Sequence, residues 1–473
     1  MASGAIRPER GVERLPGLLM VVACTTQFLV VLDVSVVHVA LPSIRAALGF
    51  DTAGLQWVVT GYMLAFGGAL LLGGRLADLF GTRRVLMCGL TVFVGSALVA
   101  GLAWQPEVLV LARSVQGVGA AALSPVSLTL LTRELPGERQ RTRALAVWGG
   151  VAAAAGAAGV FVGGLVTEFL DWRWTMLLNV PVGVALYPLA RAAVPRRPAN
   201  AARRSPDVVG ALSVTAALGL CAYGALSTDV VPLAAGAGLL CAALLWEGKG
   251  AKDPLLPLTV LRSRPVAGAN AAMFLTASAT FSMWYFLSLH LQNERNFSPL
   301  ATGLAFLPQY LAVVVGAQVA PRLIPAYGLR RVLLVGSALQ CVGFVWLAGI
   351  DAHAAFLSHV LLPGLLITFA LGLSSTPLTL AATGGVRPED AGLASGLVNT
   401  ARHLGGAMGV AALTAVANRF GSVVAVFRID AALLAVAAAL ALALPTTPVR
   451  AARVPSATAG DSKTERTNRS EPA

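Results

Sequence analysis

The sequence predicts an all-α integral membrane protein with fourteen transmembrane helices, arranged as two related six-helix bundles plus two extra helices. Three observations support this fold: the composition, the spacing of long apolar runs, and a weak internal repeat. The chain of 473 residues is 56% hydrophobic and only 12% charged, with a mean hydropathy of +0.75. A soluble protein of this length would carry about twice that charged fraction.

Apolar runs of about 20 residues, long enough to cross the hydrocarbon core of a bilayer as a helix, recur along the whole chain. They predict helices at 16–41, 53–75, 84–103, 107–131, 144–168, 173–193, 208–226, 230–247, 266–290, 301–321, 331–349, 356–380, 391–418 and 428–445. The first run is too long for the core of a cleaved signal peptide, so we predict that it is retained as the first helix.

The placement of the basic residues predicts the orientation of these helices. With the N-terminus in the cytoplasm, the cytoplasmic segments hold 28 of the 35 basic residues and the outer segments hold five, while Arg113 and Arg402 lie within spans. This bias follows the positive-inside rule, so we expect both termini in the cytoplasm. The net charge of +13 is then explained by topology and contact with anionic lipid, and we expect no nucleic-acid partner.

A repeated basic segment divides the chain into two related halves. Residues 74–89, GRLADLFGTRRVLMCG, agree at eight of sixteen positions with residues 321–336, PRLIPAYGLRRVLLVG. Each copy lies between the second and third spans of a set of six, and we interpret both as short basic loops on the cytoplasmic side. Internal repeats of this kind are common in secondary transporters.

The spans and the polar segments between them predict five regions. Residues 1–15 form a cytoplasmic N-terminus, 16–193 the first six-helix bundle, 194–265 a linker with two additional transmembrane helices, and 266–445 the second six-helix bundle. Residues 446–473 are rich in Ser, Thr, Arg and Pro, and we predict a disordered cytoplasmic tail.

Asp33 is the only acidic residue that we place deep inside a span. A charge at the bilayer centre costs about 3 kcal/mol on insertion scales, so such a residue is normally paired or functional. The helical rise places Asp33 about 12 Å and Arg113 about 10 Å below the same end of their helices. We predict that the two share a polar network facing a central cavity, and that Asp33 binds a proton under the control of Arg113. The alternative is a static pair that holds the first helix against the fourth.

The first copy of the repeat contains candidate residues for a conformational latch. Gly74 and Gly81 are predicted to allow close helix approach and a tight reversal. Asp78 is expected to pair with a neighbouring arginine or with a helix N-terminus, and Pro325 replaces it in the second copy. The alternative is a retention signal made of arginines alone. The latch candidates are Gly74, Asp78, Gly81, Arg83 and Arg84.

Small residues are concentrated in the fifth span, GGVAAAAGAAGVFVGGLV. Gly159, Gly163 and Gly164 are predicted to let this helix pack closely against a neighbour, and a bending hinge is the alternative. Arg402, in the thirteenth span, is expected either to neutralise an anionic group or to stabilise an internal network.

Amide, aromatic and basic side chains within the spans are candidates for a substrate cavity, because apolar surface with a few amides suits a lipophilic ligand. They are Gln27, His38, Gln56, Trp57, Trp284, Tyr285, Phe306, Gln309, Tyr310, Asn399 and Arg402. For the tryptophans the alternative is a position at the lipid interface. His38 and His403 are considered as proton carriers, against the commoner role of a packed, hydrogen-bonded histidine.

Several classes of site have no signature in the sequence. There is no GxxxxGK[ST] phosphate-binding loop and no HExxH motif. The five cysteines are scattered through apolar runs without CxxC spacing, as expected for core residues. We therefore expect no enzymatic activity, no metal and no cofactor, and we expect transport to draw on an ion gradient.

These features make the chain similar to the fourteen-helix drug:proton antiporters of the major facilitator superfamily. GRLADLFGTRRVL resembles the superfamily's motif between helices 2 and 3, LDVSVVHVALPSI the branch's helix-1 motif, and LARSVQGVGAAALSP its helix-4 motif. WRWTMLLNVPVG and NTARHLGGAMGVA are also typical of this branch. The resemblance implies that Asp78 is the loop-motif acid and that Arg113 takes part in proton transfer. The helix-5 motif departs from the usual pattern, because Val160 follows Gly159 where a proline is usual.

The resemblance implies a proton-coupled exporter in the cytoplasmic membrane of a bacterium. It would move small lipophilic organic compounds such as antibiotics, cationic ones among them, by alternating access between the two halves. The expected partners are the substrate, protons and membrane lipid, and we expect a monomer. Two alternatives are a proton-coupled transporter of a specific metabolite and a membrane sensor or scaffold that transports nothing.

Overall fold

The computed structural model describes residues 16–135, 137–196, 207–250, 263–351, 355–384, 386 and 391–442, and these are helical along nearly their whole length. The predictions made for the N-terminus, for parts of the linker and for the C-terminal tail lie outside the described residues. No strand occurs in the described part of the chain.

Within the described ranges, fourteen long helices, α1 to α14, lie at the predicted positions. They are α1 Pro16–Leu48, α2 Trp57–Phe80, α3 Thr82–Gly101, α4 Pro106–Arg133, α5 Glu138–Phe169, α6 Asn179–Ala193, α7 Val208–Ser227, α8 Val230–Leu245, α9 Arg264–Leu289, α10 Pro299–Tyr327, α11 Leu329–Leu347, α12 Leu362–Thr383, α13 Ala391–Phe420 and α14 Val423–Leu442. Short helical turns precede α2 and α6, at Thr52–Leu55 and Arg173–Leu177. π-helical turns follow α8 and α9 and precede α12, at Trp246–Gly250, His290–Glu294 and Leu357–Leu361.

Thirteen helices within the described ranges are long and apolar enough to cross a membrane. The remaining long helix, α13, has 30 residues, contains Arg402 and His403, and contacts α2 and α9. The all-α membrane fold predicted from the sequence is confirmed, and the chain is a multi-pass membrane protein.

Several helices extend beyond the apolar runs that predicted them. α1 continues through Pro42 to Leu48, and α10 continues through Pro321 and Pro325 to Tyr327. Hydropathy marks where the chain leaves the hydrocarbon, whereas a helix ends where its backbone hydrogen bonding ends. Proline is tolerated in such helices because neighbouring groups satisfy the freed carbonyl.

The repeated basic segment is not a loop, contrary to the prediction. α2 ends at Phe80 and α3 begins at Thr82, so Gly81 alone joins them. Gly81 has a φ of 89°, a left-handed conformation that favours glycine, and Gly328 joins α10 to α11 with a φ of 82°. Each glycine donates its N–H to the preceding helix and accepts from the following one. The repeat is therefore a helix–glycine–helix unit.

Contacts between helices recur in the two halves with a shift of eight helices. α1 packs against α4, α5 and α6, and α9 packs against α12, α13 and α14. α4 also packs against α2 and α3, and α12 against α10 and α11. The halves meet along two seams, one between α2 and α13 and the other between α5 and α10. The same shift of eight helices relates α2 to α10 and α5 to α13, so it relates one seam to the other. This pattern is expected for an internally repeated transporter.

The two additional helices form a hairpin that covers only one of these seams. α7 packs against α2 and α13, and α8 packs against α7. Within the hairpin, Gly236 lies so close to Cys221 that a Cβ on the glycine would be 2.7 Å from the cysteine backbone nitrogen. Small residues at such contacts let membrane helices approach closely. The hairpin therefore makes the two seams unequal.

Candidate functional site

A buried polar network connects four helices of the first half. Nη1 of Arg113 on α4 lies 2.6 Å from Oδ2 of Asp33 on α1, and the two side chains are 2% and 0% exposed. Oδ1 of Asp33 accepts hydrogen bonds at 2.8 Å from Gln116 on α4 and from Asn179 on α6. The structure thus brings Asp33 and Arg113 together in one polar network, as predicted.

The guanidinium of Arg113 has further partners on α2 and α4. Its Nη1 also donates to Oε1 of Gln116 at 2.8 Å, and its Nε donates to the carbonyl oxygen of Val58 at 3.3 Å. The guanidinium carbon lies 4.3 Å from the ring centroid of Tyr62, within the range of a cation–π contact. A buried ion pair needs such extra hydrogen bonds to offset the loss of hydration. Both charges of this pair receive them.

Three members of the network were not among the sequence candidates. Gln116 lies three residues after Arg113, a spacing that places it on the same helix face. Tyr62 and Asn179 reach the pair from helices distant in sequence. Asn179 falls in a segment noted only for its family resemblance, WRWTMLLNVPVG, and its local sequence carries no sign of a partner on α1.

A cavity of about 1770 Å³ lies between the two halves. Its walls come from α1, α2, α4 and α5 of the first half and from α9, α10, α12 and α13 of the second. Pockets for drug-sized ligands usually measure about 300–1,000 Å³, so this cavity has room for a large organic molecule. The predicted cavity residues that line it are Gln27, Trp284, Tyr310, Asn399 and Arg402, and His403 also lines it.

The other cavity candidates lie outside its lining, contrary to the prediction. They are His38, Gln56, Trp57, Tyr285, Phe306 and Gln309. All except the half-buried Trp57 are buried among the helices. His38 lies beside the rings of Phe281 and Trp284, with centroid distances of 6.4 and 6.2 Å. The helices are apolar on all faces, so the sequence does not indicate which face turns towards the cavity.

Asp33 and Arg113 do not line the cavity, so the prediction that their network faces it is wrong for this conformation. α1 turns Gln27, Val30 and Val34 towards the cavity. These residues recur with the helical period, and Asp33 falls on the other side of the helix. The ion pair is enclosed among α1, α2, α4 and α6 instead.

The cavity reaches the end of the molecule that carries the basic repeat, which we term the basic end. Its lining there includes Arg75 and Asp78 on α2, Arg133 at the end of α4 and Arg322 near the end of α10. A ligand could therefore enter from the basic end in this conformation.

At the end opposite the basic end, the two halves are in contact. The hydrogen bonds that cross between them there include Ser288 Oγ to the carbonyl oxygen of His38 at 2.6 Å, Gln292 Nε2 to that of Val39 at 2.9 Å, and the backbone N–H of Leu300 to Glu168 Oε2 at 2.8 Å. A central cavity that is open at one end and closed at the other is the geometry required of one state of alternating access.

The sequence matches the family model described as Major Facilitator Superfamily over residues 23–410 and 271–470. The chain belongs to this superfamily. It is 43% identical over 408 residues to a cephamycin export protein of Amycolatopsis lactamdurans, with 84% of each chain covered. It is 38% identical over 411 residues to a puromycin resistance protein of Streptomyces alboniger, covering 84% of this chain and 81% of that protein. A lincomycin resistance protein of Streptomyces lincolnensis is 36% identical over 403 residues, with 83% and 82% covered.

Solved structures of other transporters share the fold. The nucleoside transporter NupG aligns with a TM-score of 0.65 and 14% identity over 90% of this chain and 99% of that one. An auto-inhibited peptide transporter of the POT family aligns with a TM-score of 0.66 and 16% identity over 90% and 95%. At these identities the similarity concerns the fold. Members of the superfamily carry small molecules, which makes the cavity between the halves the candidate substrate site.

The superfamily's loop motif forms an ion pair between two helix ends. Oδ1 of Asp78 on α2 accepts from Nη1 of Arg133 at the end of α4 at 2.8 Å, with side-chain exposures of 30% and 54%. The partner is an arginine, as expected, but it lies 55 residues away instead of within the same segment. Arg83 donates to the carbonyl oxygen of Val194, just after α6, at 3.4 Å. Arg84 is exposed.

Gly73, not Gly74, makes the close helix contact at this motif. A Cβ on Gly73 would overlap the backbone carbonyl of Ala121 on α4, whereas the nearest atom to a Cβ on Gly74 is 3.8 Å away, on Pro125. One residue along a helix turns the side chain by about 100°, which decides which of the two adjacent glycines faces the neighbouring helix. Gly81 occupies the predicted reversal.

The glycines of α5 pack against two other helices. A Cβ on Gly159 would lie 3.0 Å from the carbonyl oxygen of Leu32, and one on Gly163 would lie 2.8 Å from that of Val36, both on α1. A Cβ on Gly164 would lie 2.7 Å from the carbonyl oxygen of Pro299, where α10 begins. These contacts support the packing interpretation over the hinge.

A second buried acid escaped the sequence analysis. Asp430 on α14 is 0% exposed and accepts a hydrogen bond at 2.7 Å from Ser282 on α9, while its Oδ1 has no hydrogen-bond partner within the described ranges. The last span was predicted to begin at 428, which placed Asp430 at a helix end. α14 begins at Val423, so Asp430 lies inside the bundle. Asp33 is therefore not the only acid deep in a span.

Proposed function

We propose that this protein is a proton-coupled exporter of small lipophilic organic compounds and that it works by alternating access. The observation that supports this function most directly is a large cavity that is open at one end only. Beside it lies a buried carboxylate–guanidinium pair that does not line the cavity. The names of three relatives, which describe one as an export protein and two as antibiotic resistance proteins, support export.

We place the basic end in the cytoplasm of a bacterial cell, with both termini on that side, because arginines accumulate in cytoplasmic segments. The conformation described above is then open to the cytoplasm. The cavity and the polar network are both built within one chain, which supports action as a monomer. The proton gradient supplies the energy, and no cofactor takes part.

Asp33 is the proton-binding group in this mechanism. In the inward-open conformation the Arg113 guanidinium and two amide donors compensate the negative charge of an Asp33 carboxylate. A proton taken up by Asp33 removes the negative partner and leaves Arg113 as an uncompensated buried charge, which disfavours this arrangement. Protonation therefore shifts the population towards a conformation in which the network is rearranged.

The network can transmit this change because its helices also form the interface between the halves. Arg113 contacts Val58 and Tyr62 on α2, and α2 forms one seam with α13. Asp33 lies on α1, which packs against α5, the helix of the other seam. Movement of α1 or α2 therefore changes the contacts at a seam. In this way proton binding is coupled to the opening of one end of the cavity and the closing of the other.

Inside-out membrane vesicles from a bacterial strain without its own drug pumps provide the test. Wild type should accumulate a lipophilic fluorescent dye when the vesicle lumen is made acidic. Asp33→Asn should lose this gradient-driven uptake while still exchanging dye across the membrane without a gradient. Asp171→Asn is the matched control, because Asp171 is 46% exposed and lies outside the network.

Each alternative gives a different outcome in the same vesicles. An importer of a specific metabolite would need the opposite direction of the pH gradient, and a sensor or scaffold would move nothing. Full gradient-driven uptake by Asp33→Asn would remove Asp33 from proton coupling.

A further inference from the structure

The charged side chains of the cavity wall are mainly arginines. Four arginines and one aspartate belong to the described lining, a difference of three positive charges (4 − 1), and they are Arg75, Arg133, Arg322, Arg402 and Asp78. The single acid is already paired with Arg133. A cationic ligand would therefore find no free carboxylate in the described wall.

Arg402 is the innermost of these arginines. It is the twelfth residue of α13, about 17 Å along the helix from its first residue. Arg75, Arg133 and Arg322 lie close to the ends of their helices at the basic end. Arg402 is thus the charge that a ligand would meet after passing the cavity mouth.

Arg402 also differs from the other intramembrane arginine in having no counter-charge. It forms no hydrogen bond or ion pair with any residue in the described ranges. Arg113, in contrast, is held by Asp33, Gln116 and a backbone carbonyl. A guanidinium within a membrane bundle is costly unless an anion or polar groups compensate it. The compensating group for Arg402 is not a described protein side chain.

Neutral polar groups accompany Arg402 in the wall. Asn399 lies one turn earlier on the same face of α13, and its Nδ2 donates to the carbonyl oxygen of Ser395. Gln27 also lines the cavity; it is 8% exposed, and its Oε1 has no hydrogen-bond partner among the described groups. A buried amide without a partner is unfavourable unless a ligand or water satisfies it.

Aromatic rings supply the apolar part of the same cavity. Trp284 and Tyr310 are stacked with their centroids 4.8 Å apart and their planes at 7°, and Phe281 packs edge-on against Trp284 at 5.9 Å. Phe66 stacks on the His403 ring at 4.0 Å. All five rings belong to the lining. Such surfaces suit a flat apolar or aromatic body.

We propose, building on the export function proposed above, that the substrates are organic anions: compounds with an apolar or aromatic body and a carboxylate or similar acid group that Arg402 binds. This replaces the expectation from the sequence that cationic compounds are among the substrates. A cation would also have no access to Asp33, which lies outside the cavity.

The test is equilibrium binding of three fluorescent probes with one pyrene body and different charges. The probes are 1-pyrenebutyrate, its neutral amide and 4-(1-pyrenyl)butylammonium. Binding to purified full-length protein in phosphatidylcholine nanodiscs is followed by energy transfer from tryptophan, with protein-free nanodiscs as the blank. The pyrenebutyrate anion should bind about 10- to 100-fold more tightly than the amide, the gain expected from a charge-assisted hydrogen bond. The ammonium probe should bind most weakly.

Substitutions assign this preference to one residue. Arg402→Gln should remove the advantage of the anion over the amide, while Arg402→Lys should retain most of it. Arg264→Gln, an exposed arginine outside the cavity, is the matched control and should bind like wild type. Size-exclusion chromatography and thermal unfolding establish whether each variant is folded. If Arg402→Gln does not fold, the anion preference of Arg402→Lys still tests the assignment.

Two results would overturn the assignment of soluble anions to this site. One is the absence of an Arg402-dependent anion preference, seen as equal affinity of wild type for the anion and the amide or as a preference that survives in Arg402→Gln. The other is displacement of the anionic probe by added phosphatidylglycerol in wild type but not in Arg402→Gln, which would assign the site to a lipid headgroup. Because binding is measured without a pH gradient, a protein that exports neutral dye but shows no anion preference would refute only this inference.

Discussion

Replacing Asp33 with Asn, or Arg113 with Gln, should destabilise the protein more than making both replacements together. The two side chains are 0% and 2% exposed, and their charged atoms are 2.6 Å apart. Removing one partner of a buried ion pair leaves an uncompensated charge and costs about 3–5 kcal/mol. The double variant has no buried charge, so its loss is limited to altered hydrogen bonds.

The remaining partners set the size of each loss. After Asp33→Asn, the guanidinium keeps acceptors on Gln116 and Val58. After Arg113→Gln, the carboxylate keeps amide donors on Gln116 and Asn179. Because neutral partners remain in both cases, we expect each single loss to lie near the lower end, at about 3 kcal/mol. Two weakened hydrogen bonds in the double variant cost about 2 kcal/mol, which gives a coupling energy of about 4 kcal/mol.

The assay is unfolding in mixed micelles over a series of SDS mole fractions, followed by far-UV circular dichroism for wild type, both single variants and the double variant. A control cycle uses Asp171 and Arg173, whose charged atoms are 3.4 Å apart and whose side chains are 46% and 37% exposed. An exposed pair contributes about 0.2–1 kcal/mol, so this cycle should show little coupling.

Additive losses at Asp33 and Arg113, or a coupling energy no larger than that of the exposed pair, would refute the reasoning. The double variant also separates the effect on stability from the effect on proton-coupled transport. It should fold and bind probe, yet transport without dependence on the pH gradient, because neither ionisable partner remains.

Three further predictions concern packing, the second acid and the latch. Gly163→Val should destabilise the protein by about 1–3 kcal/mol, because the new Cβ would press on the carbonyl of Val36. Gly149→Ala is the control and should leave stability unchanged, since no atom lies within 4 Å of its Cβ position. Thermal unfolding measures the stability of both variants. Asp430→Asn should change stability by less than about 1 kcal/mol, because no described ion pair is lost and the amide keeps its bond to Ser282; a loss as large as at Asp33 would contradict this. Asp78→Asn should also change stability by less than about 1 kcal/mol, since the pair is exposed, yet lower dye uptake in vesicles; unchanged uptake would exclude a latch role.

Hydropathy predicted the fold well because membrane helices must be apolar over about 20 residues whatever their neighbours. It was less informative about helix ends. A start five residues earlier for α14 was enough to hide Asp430 among apparent end residues. The helix–glycine–helix form of the repeat was also missed, because basic residues suggested a loop where the backbone stays helical on both sides of Gly81.

The candidate site was predictable where a residue type is rare in its surroundings. Asp33 and Arg113 stand out because charges are costly inside a span. Gln116 and Asn179 are neutral, and such residues occur in many spans without functional partners. Tyr310 and Phe306 lie only four residues apart on α10, yet only Tyr310 lines the cavity. The part of a uniformly apolar helix that lines the cavity is determined by tertiary packing, which the local sequence does not reveal.

In the proposed mechanism, proton binding at Asp33 has to compete with the contacts that close the cavity opposite the basic end. The contacts that close the cavity opposite the basic end include three hydrogen bonds between the halves, each worth about 0.5–1.5 kcal/mol net. Loss of the charge on Asp33 would perturb the buried network by about 3 kcal/mol, which is comparable with the sum of these three hydrogen bonds. A difference of 1.4 kcal/mol changes a population ratio tenfold, so the proposed protonation of Asp33 would be large enough to shift the balance between the two conformations substantially. An organic anion that neutralised Arg402 would act on the second half through α13. The proton and the anion would then occupy separate sites, and each would shift the same equilibrium between the two conformations.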